Sequence, residues 1–208
     1  MNLSETEVEN FVEFCNTEVG KGLMAREAEL IAEKLSGCEK TLSLGCGIGS
    51  IGERIENFNI IYLDSSPHML LEASKRVRGS LILGDAEKMP FREGSFGCAY
   101  SVTALEFLED PGKAVRETAR ILKPDGRILA MMLNPSSEYF KSHVRKKGSY
   151  FRKIRSHPKT VEKYMKRYFA TESEYFLGID GEKIFDSENP KKASLYVVNG
   201  VKNPEVNG

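Results

Sequence analysis

The strongest constraint on the fold is an apolar run over 41–44 that leads directly into three glycines at alternate positions, Gly45, Gly47 and Gly49. Glycine lets a backbone turn tightly and approach a ligand closely, because it has no Cβ. We expect the next segment, 50–56, to be a helix whose N-terminal amides point at whatever lies over the loop. Such a loop alone also fits an ordinary strand-to-helix turn, so a ligand site needs further support.

The chain around this loop alternates between strands and helices. Two helical stretches, 67–78 and 112–122, separate apolar runs of strand length, and the second stretch is closed by the turn residues at 123–126. The runs lie at 41–44, 59–63, 80–83, 98–102 and 127–133. This alternation is typical of βαβ units and predicts an α/β fold with a parallel sheet.

Further elements are predicted on either side of these units. Two amphipathic helices, 5–15 and 24–35, precede the first strand, and the expected buried set of the second helix is Leu30, Ile31 and Leu35. Two strand-like runs, 174–179 and 193–198, follow residue 133. We expect these two runs to form a closing hairpin at the sheet edge.

The charges of the chain are balanced overall but unevenly placed. With 30 basic and 30 acidic residues, the overall field favours neither nucleic acid nor an anionic membrane as a partner. The segment 141–167, called the basic segment below, nevertheless holds eleven Lys/Arg and one acid, Glu162. Its interleaved aromatic residues are typical of single-strand binders, although they suit the buried face of a helix equally well.

Four cysteines, Cys15, Cys38, Cys46 and Cys98, are scattered without CxxC pairs or companion histidines at ligand spacing. We therefore expect reduced thiols, with neither a metal site nor a disulfide framework. The N-terminus lacks an apolar signal segment and no run is long enough to span a bilayer. A soluble, cytoplasmic protein without a membrane partner is expected, and its oligomeric state is left open.

Two acidic residues follow neighbouring strands at the same predicted edge of the sheet. Asp64 ends the second strand run, where a carboxylate can accept hydrogen bonds from both hydroxyls of a ribose. Asp85 follows the third run and could accept a hydrogen bond from an adenine amino group, while Met69 supplies an apolar wall. Three strand ends then converge on one nucleoside.

The ordered series of these motifs resembles that of class I S-adenosylmethionine-dependent methyltransferases of the small-molecule type. The matching segments are Gly45-x-Gly47-x-Gly49, Leu63-Asp64-x-Ser66-Pro67-x-Met69-Leu70, Gly84-Asp85-Ala86-x-x-Met89-Pro90-Phe91, Ser95-Phe96, 105–111 and 120–127. The resemblance covers about 41–133. It implies a Rossmann-like, seven-stranded sheet in the order 3-2-1-4-5-7-6, with strand 7 antiparallel and helices on both faces.

The resemblance also implies how the chain is divided into segments. N-terminal helices with a lid would occupy 1–40, the S-adenosylmethionine-binding core 41–133, and the C-terminal part of the same domain 134–208, including the basic segment and the closing strands. The cofactor-binding residues it implies are Gly45, Cys46, Gly47, Gly49, Asp64, Ser65, Met69, Asp85, Ala86 and Ser101.

The sequence departs from the family pattern at two positions. Relatives often carry an acid two residues before the first glycine, where it helps to hold the methionine part of the cofactor, and this chain has Ser43 there. Relatives often have Ser-Phe-Asp where this chain has Ser95-Phe96-Gly97. The first departure implies weaker cofactor binding or another way of holding its amino group.

The catalytic side of the site is less defined by the sequence. A sulfonium methyl group is already activated, so orientation of the acceptor does most of the work and a base is optional. None of the histidines, His68, His143 and His157, is a convincing base, and Glu106 is the tentative choice, with a solvated helix-start carboxylate as the alternative. Segment 14–22, with Gly20 and Gly22, is either a mobile lid or a plain interhelix loop.

The methyl acceptor is not identified by the sequence, and a small, anionic molecule is favoured. The alternatives are an RNA methyltransferase and a non-catalytic module that binds S-adenosylmethionine or nucleic acid through the basic segment. A nicotinamide-dependent oxidoreductase is disfavoured, because its third glycine should follow the second by three residues, whereas Gly49 follows Gly47 by two.

Overall fold

A computed structural model describes residues 4–56 and 59–204 as an α/β fold built on one mixed sheet. The described strands are β1 (Thr41–Leu44), β2 (Ile60–Asp64), β3 (Ser80–Leu83), β4 (Phe96–Val102), β5 (Leu122–Leu133), β6 (Phe169–Asp180), β7 (Lys183–Phe185) and β8 (Ala193–Lys202). They lie in the order β3-β2-β1-β4-β5-β8-β6-β7. The predicted α/β fold and parallel core are confirmed.

The C-terminal strands close the sheet as the family order implies. Strands β1 to β5 pair in parallel, whereas β8 is antiparallel to both β5 and β6. The two predicted C-terminal runs therefore form an antiparallel pair, with β8 inserted between β5 and β6. The short strand β7 was not predicted and adds an eighth strand at the edge.

Six α-helices flank the sheet within the described residues. They are α1 (Glu5–Asn16), α2 (Glu18–Lys34), α3 (Pro67–Ala73), α4 (Pro111–Ile121), α5 (Glu138–Val144) and α6 (Pro158–Met165). Short polar side chains start them: Ser4 forms a capping box with Glu7, and Ser66 and Asp110 each cap a helix that begins with proline. Each of these caps lies immediately before the helix that it starts.

Three predicted boundaries were wrong. Segment 50–56 contains only a 3₁₀ turn, Gly52–Arg54, because Ile55 already adopts an extended conformation on the way to β2. The predicted dipole of a following helix is therefore absent from the glycine loop. Helix α3 ends at Ala73, and residues 123–126 belong to the beginning of β5.

Both faces of the sheet are covered by apolar side chains. Helices α4 and α6 pack on one face through residues such as Val115 and Val161, while α2 packs on the other through Ile31 and Leu35. A third cluster lies beneath α1 and joins it to α2, α3 and β6. The helices on both faces leave the carboxyl ends of the central strands as the place for a ligand.

Helices α1 and α2 are separated by the single residue Thr17, which caps both. Its hydroxyl donates to the Phe14 carbonyl and accepts from the Gly20 amide, at 2.7 and 3.0 Å. The prediction of a glycine-containing loop over 14–22 was therefore wrong, because Gly20 and Gly22 lie within α2. Gly20 serves the close packing of the two helices, whereas Gly22 faces Ile184 of β7.

Two cysteines are paired, contrary to the expectation of reduced thiols. Cys38 and Cys98 are joined as a disulfide with their Cα atoms 6.0 Å apart, whereas Cys15 and Cys46 are free. Sequence spacing could not indicate this pair, because the fold brings together residues separated by 60 positions. No helix in the described part of the chain has the length and apolar character needed to cross a membrane.

The junction of α1 and α2 predicts different effects for two glycine substitutions. A Cβ at Gly20 would lie 2.0 Å from the Phe14 carbonyl oxygen, whereas one at Gly22 would meet only the flexible end of Ile184 at 3.0 Å. Gly20→Ala should lower the free energy of unfolding by about 1–3 kcal/mol through overpacking. Gly22→Ala should be neutral or gain up to about 1 kcal/mol of helix propensity. Urea denaturation followed by circular dichroism checks this, and equal effects would contradict the packing role.

Candidate functional site

A cavity of about 1280 Å³ lies at the carboxyl ends of the central strands. The loops after β1, β2, β3 and β4 form its floor, and helices α1 and α2 together with the stretch 146–155 form its walls. Its size exceeds the usual 300–1,000 Å³ of a small-molecule pocket, so it has room for more than one ligand. The position is the one where α/β sheets bind their ligands.

The three loop glycines all have positive φ, at 69°, 54° and 77° for Gly45, Gly47 and Gly49. A Cβ at Gly45 would lie 2.5 Å from that of Ala104, and one at Gly49 would lie 2.8 Å from Val77. At Gly47 the nearest atom would be a ring carbon of Phe11 at 3.8 Å. Gly45 and Gly49 thus permit tight packing, while Gly47 leaves the cavity floor open.

Asp64 fastens this loop to the end of β2. Its two carboxylate oxygens accept from the amides of Gly47 and Ser66, each at 2.9 Å. Burial raises the pKa of Asp64, while the hydrogen bonds from these amides oppose the shift. Because a carboxylate oxygen can accept more than one hydrogen bond, Asp64 retains acceptor capacity for a ligand in the cavity.

The structure brings most of the predicted cofactor-binding residues together. Eight of the ten line the cavity: Gly45, Cys46, Gly47, Asp64, Ser65, Met69, Asp85 and Ala86. Asp85 is exposed and accepts from the Glu87 amide at 2.8 Å, whereas Met69 is buried. The predicted acids and the predicted apolar wall therefore share one space.

Two predicted cofactor-binding residues do not line the cavity. Gly49 packs against α3, as its close approach to Val77 and Ala73 indicates. Ser101 lies inside β4, is 2% exposed, and its hydroxyl has no hydrogen-bond partner. The next residues, Val102 and Thr103, reach the cavity instead.

Thr103 is a functional candidate that sequence reasoning missed. It lines the cavity with φ of 47°, a left-handed conformation that is rare for a β-branched residue, and its amide donates to the Met131 carbonyl at 2.8 Å. Backbone strain of this kind clusters at ligand sites. No sequence pattern marks such a conformation in advance.

Glu106 occupies a different position from the one expected of a catalytic base. It is fully buried in the 3₁₀ turn Leu105–Phe107 and does not line the cavity. Its Oε1 accepts from the Leu133 amide at 2.9 Å, and its carbonyl accepts from the amides of Arg155 and Ser156. Burial raises the pKa of Glu106 to about 7. These contacts favour a role in holding backbone segments together, and a catalytic role stays a prediction.

A second buried acid, Glu27, does line the cavity and was also missed. It lies on α2, is 2% exposed, and its Oε2 atom has no hydrogen-bond partner. Burial raises the pKa of Glu27 to about 8. The sequence held a signal for it, because Glu27 shares a helix face with the predicted core residues Leu30 and Ile31, where an acid is unusual.

The basic segment divides into two parts with different surroundings. Five of its cationic residues line the cavity: Lys146, Lys147, Arg152, Lys153 and Arg155. On α6, by contrast, Lys159 and Lys166 pair with Glu162 at 3.4 and 2.8 Å. Among the cations of the basic segment, only these five can contact a ligand in the cavity.

The first part of the basic segment also contacts α1 across the cavity. Lys153 forms an ion pair with Glu7, and Lys153 lowers the pKa of that carboxyl. Phe11 and Phe14 of α1 line the same wall. Helix α1 therefore covers the cavity, in place of the loop that was predicted to do so.

The three histidines differ in their access to the cavity, and the expectation that none acts as a base stays a prediction. His68 is exposed at the start of α3, and His157 caps α6. His143 lines the cavity, but its ring packs on Tyr139 with centroids 4.2 Å apart.

Comparisons with known proteins identify the matched region. Residues 42–130 match the model of a methyltransferase domain. Among curated relatives, demethylmenaquinone methyltransferase of Thermotoga maritima is 33% identical over 125 residues, which are 57% of this chain and 54% of that protein. The chain spans about half or less of the length of the curated relatives it matches.

Solved structures extend the similarity in fold to nearly the whole chain. A Thermotoga maritima SAM-dependent methyltransferase, described as a possible histamine N-methyltransferase, has a TM-score of 0.80 at 20% identity and covers 96% of this chain and 97% of its own. An N-methyltransferase of Bradyrhizobium japonicum, solved with S-adenosylhomocysteine, has a TM-score of 0.68 at 14% identity, with coverage of 91% and 90%.

The raised pKa of Glu27 predicts a pH-dependent effect of its neutralisation. An acid whose folded pKa exceeds its ordinary value of 4.5 contributes stability at low pH and loses it as the pH rises through about 8. Burial, together with the charge of Glu27, raises the pKa values of Cys15 and Tyr139, so both groups stay neutral over this range. Glu27→Gln should therefore leave the melting temperature nearly unchanged at pH 4, where the carboxyl is mostly protonated in both the folded and the unfolded protein.

At pH 8.5 the same substitution should raise the melting temperature of the ligand-free protein by about 2–4 °C for each kcal/mol of relieved desolvation. Differential scanning calorimetry of wild type and Glu27→Gln at both pH values measures this. The control is Glu29→Gln, since Glu29 is exposed on the same helix. A melting temperature at pH 8.5 that does not change would show that Glu27 is solvated or paired.

Proposed function

We propose that this chain, whose residues 42–130 match the model of a methyltransferase domain, is a class I enzyme that transfers a methyl group from S-adenosylmethionine to a small-molecule acceptor. The observation that carries the proposal is the arrangement of Gly47, Asp64 and Asp85 around one cavity at the strand ends. The relatives named above, among them a quinone methyltransferase, support a small acceptor.

The cavity residues fit an adenosyl group. The open floor at Gly47 gives the ligand close access to the backbone, and Asp64 retains acceptor capacity for ribose hydroxyls. Asp85, exposed at the next strand end, is available to an adenine amino group, and the buried Met69 offers an apolar surface to the ring. Charged hydrogen bonds such as these contribute about 1.5–3 kcal/mol each.

The chemistry asks mainly for orientation from the protein. S-adenosylmethionine supplies a methyl group that is already activated by its sulfonium. The cavity walls position an acceptor beside it, and such alignment can lower a barrier by about 7–11 kcal/mol. Helix α1 closes over the cavity through Phe11 and Phe14, which limits the access of water. No side chain that we describe has to act as a base for this role.

The acceptor is proposed to carry a negative charge because of two lysines at the cavity. Lys146 and Lys147 line it and form no ion pair within the described residues. Of their basic neighbours, Lys153 pairs with Glu7, and Arg155 lies 3.8 Å from Glu109. Arg152 donates to the Val144 carbonyl at 2.8 Å. The two lysines are therefore the cations left to meet a carboxylate or phosphate group.

The glycine loop gives the direct test of cofactor binding. Gly47→Val places a branched side chain at positive φ on the cavity floor, so S-adenosylhomocysteine binding should fall at least a hundredfold from a micromolar dissociation constant. Gly94→Val is the matched control, because Gly94 also has positive φ, 61°, with open space around it, but lies outside the cavity. Isothermal titration calorimetry measures both. Equal binding by the two variants would mean that the loop is only a turn.

The two lysines test the acceptor class against the nucleic-acid alternative. We expect RNA and DNA oligomers to bind weakly and methyl transfer to be found in a panel of carboxylate- and phosphate-bearing metabolites. In Lys146→Ala/Lys147→Ala the KM for the acceptor should rise about tenfold, while Lys141→Ala/Lys163→Ala, exposed and outside the cavity, should match wild type.

A polynucleotide would reveal itself by its salt dependence. Neutralising several phosphates releases counterions, so its affinity falls steeply with the logarithm of salt concentration. Submicromolar RNA binding with such a slope, lost in Lys146→Ala/Lys147→Ala, would replace the small acceptor by RNA. Wild-type activity in that variant toward every acceptor found would remove the anionic acceptor from the proposal.

A further inference from the structure

Glu27 is the buried ionisable group of the cavity to which the proposed function gives no role. Its side chain lines the cavity, is 2% exposed, and leaves Oε2 without a hydrogen-bond partner. Within 4–56 and 59–204, no basic side chain lies within salt-bridge distance of its carboxylate. Burying an acid without a partner costs folding free energy. A ligand that donates hydrogen bonds to the carboxylate would offset this cost.

The basic side chains of α2 are engaged elsewhere, and Lys21 lies 3.0 Å from Glu18. Arg26 donates to Asp186 at 2.5 Å and lies 3.7 Å from Glu29, and Lys34 lies 3.4 Å from Glu174. On the turn packed against α2, Arg54 bonds to Glu53 and to the Ser50 carbonyl. The basic side chains of α2 and of this turn are therefore paired with other groups, and none of them forms an ion pair with Glu27.

The groups around Glu27 suit an organic cation. Burial raises the pKa values of Cys15 and Tyr139, the nearby charge of Glu27 adds to both shifts, and both groups are neutral at neutral pH. Tyr139 and Phe14 line the cavity with aromatic rings, which attract cations through their faces. The described residues contain no cluster of three metal-ligating side chains, so a lone carboxylate fits an ammonium group better than a metal ion.

We propose that Glu27 anchors a subsite for a protonated amine, with its carboxylate accepting hydrogen bonds from an ammonium group of a ligand in the cavity. The inference rests on the proposed function only for the identity of that ligand. One source is the α-amino group of S-adenosylmethionine, since Ser43 stands where relatives carry an acid for it and also lines the cavity. The other source is an amine of the acceptor.

Calorimetric titration of wild type, Glu27→Gln and Glu29→Gln separates the two sources. Glutamine keeps the shape of the side chain and removes its charge, and Glu29→Gln removes an exposed charge from the same helix. The ligands are S-adenosylhomocysteine, its analogue without the α-amino group, and three primary amines with and without S-adenosylhomocysteine: methylamine, butylamine and benzylamine. Benzyl alcohol serves as the neutral counterpart of benzylamine.

If the cofactor supplies the ammonium group, Glu27→Gln weakens S-adenosylhomocysteine binding tenfold to a hundredfold and leaves binding of the analogue unchanged. If the acceptor supplies it, S-adenosylhomocysteine binds equally to all three proteins. At least one amine then binds wild type and Glu29→Gln tenfold more tightly than Glu27→Gln, and benzyl alcohol shows no such difference. Either result supports the subsite.

The subsite is overturned if Glu27→Gln stays within twofold of wild type for S-adenosylhomocysteine and for all three amines. The proposed function fails separately, if wild type binds no S-adenosylhomocysteine at all. In that case amine binding that depends on Glu27 would still support the subsite. Near-ultraviolet circular dichroism of the variants establishes that each retains the native packing.

Discussion

The hydrogen bond from the Gly47 amide to the Asp64 carboxylate joins the two strand ends on which the site is built. The Leu63 carbonyl reinforces it by accepting from the amides of Gly45 and Cys46 at 2.8 and 3.0 Å. These bonds hold the loop in place. Its three positive φ angles fall on glycines, whereas any other residue would be strained there. At Gly45 and Gly47 the floor of the cavity is thus formed by backbone without a side chain, and α1 and α2 form walls above it.

Two buried acids, Glu106 and Glu27, differ in their surroundings. Glu106 accepts a backbone hydrogen bond from Leu133 and lies outside the cavity, so its charge is partly satisfied by the scaffold. Each of the two acids has one oxygen without a partner, but Glu27, unlike Glu106, lies on the cavity wall. A polar group that the fold leaves incomplete next to an open space is better explained by a ligand than by stability.

Local sequence rules accounted for the central part of the fold. Strand-length apolar runs, their alternation with helical stretches and the glycine spacing all depend on neighbouring residues, and they predicted β1 to β5 and most of the cavity floor. What was missed depends on distant contacts: β7 pairs with β6, and Cys38 meets Cys98 only after the sheet has formed.

The orientation of single side chains was the other limit of prediction. Ser101 does not line the cavity although its neighbours Tyr100 and Val102 do. Likewise, Glu106 turns toward β5 although its neighbour Phe107 lines the cavity. A motif places a backbone segment near a ligand, but the twist of a strand end or a 3₁₀ turn decides which side chain faces it. Glu27 lies outside every matched motif, and only helical periodicity could have drawn attention to it.

The ion pair between Lys153 and Glu7 has a kinetic consequence for ligand exchange. Both side chains are more than a third exposed, at 38% and 36%, so the pair stabilises the cover by at most about 1 kcal/mol and is screened by salt. The apolar cluster beneath α1 remains its main attachment, so screening loosens only this polar contact, and the residence time of a bound molecule should shorten modestly as ionic strength rises. Product release from such a cavity would be tuned by the electrolyte around the protein as well as by the residues within it.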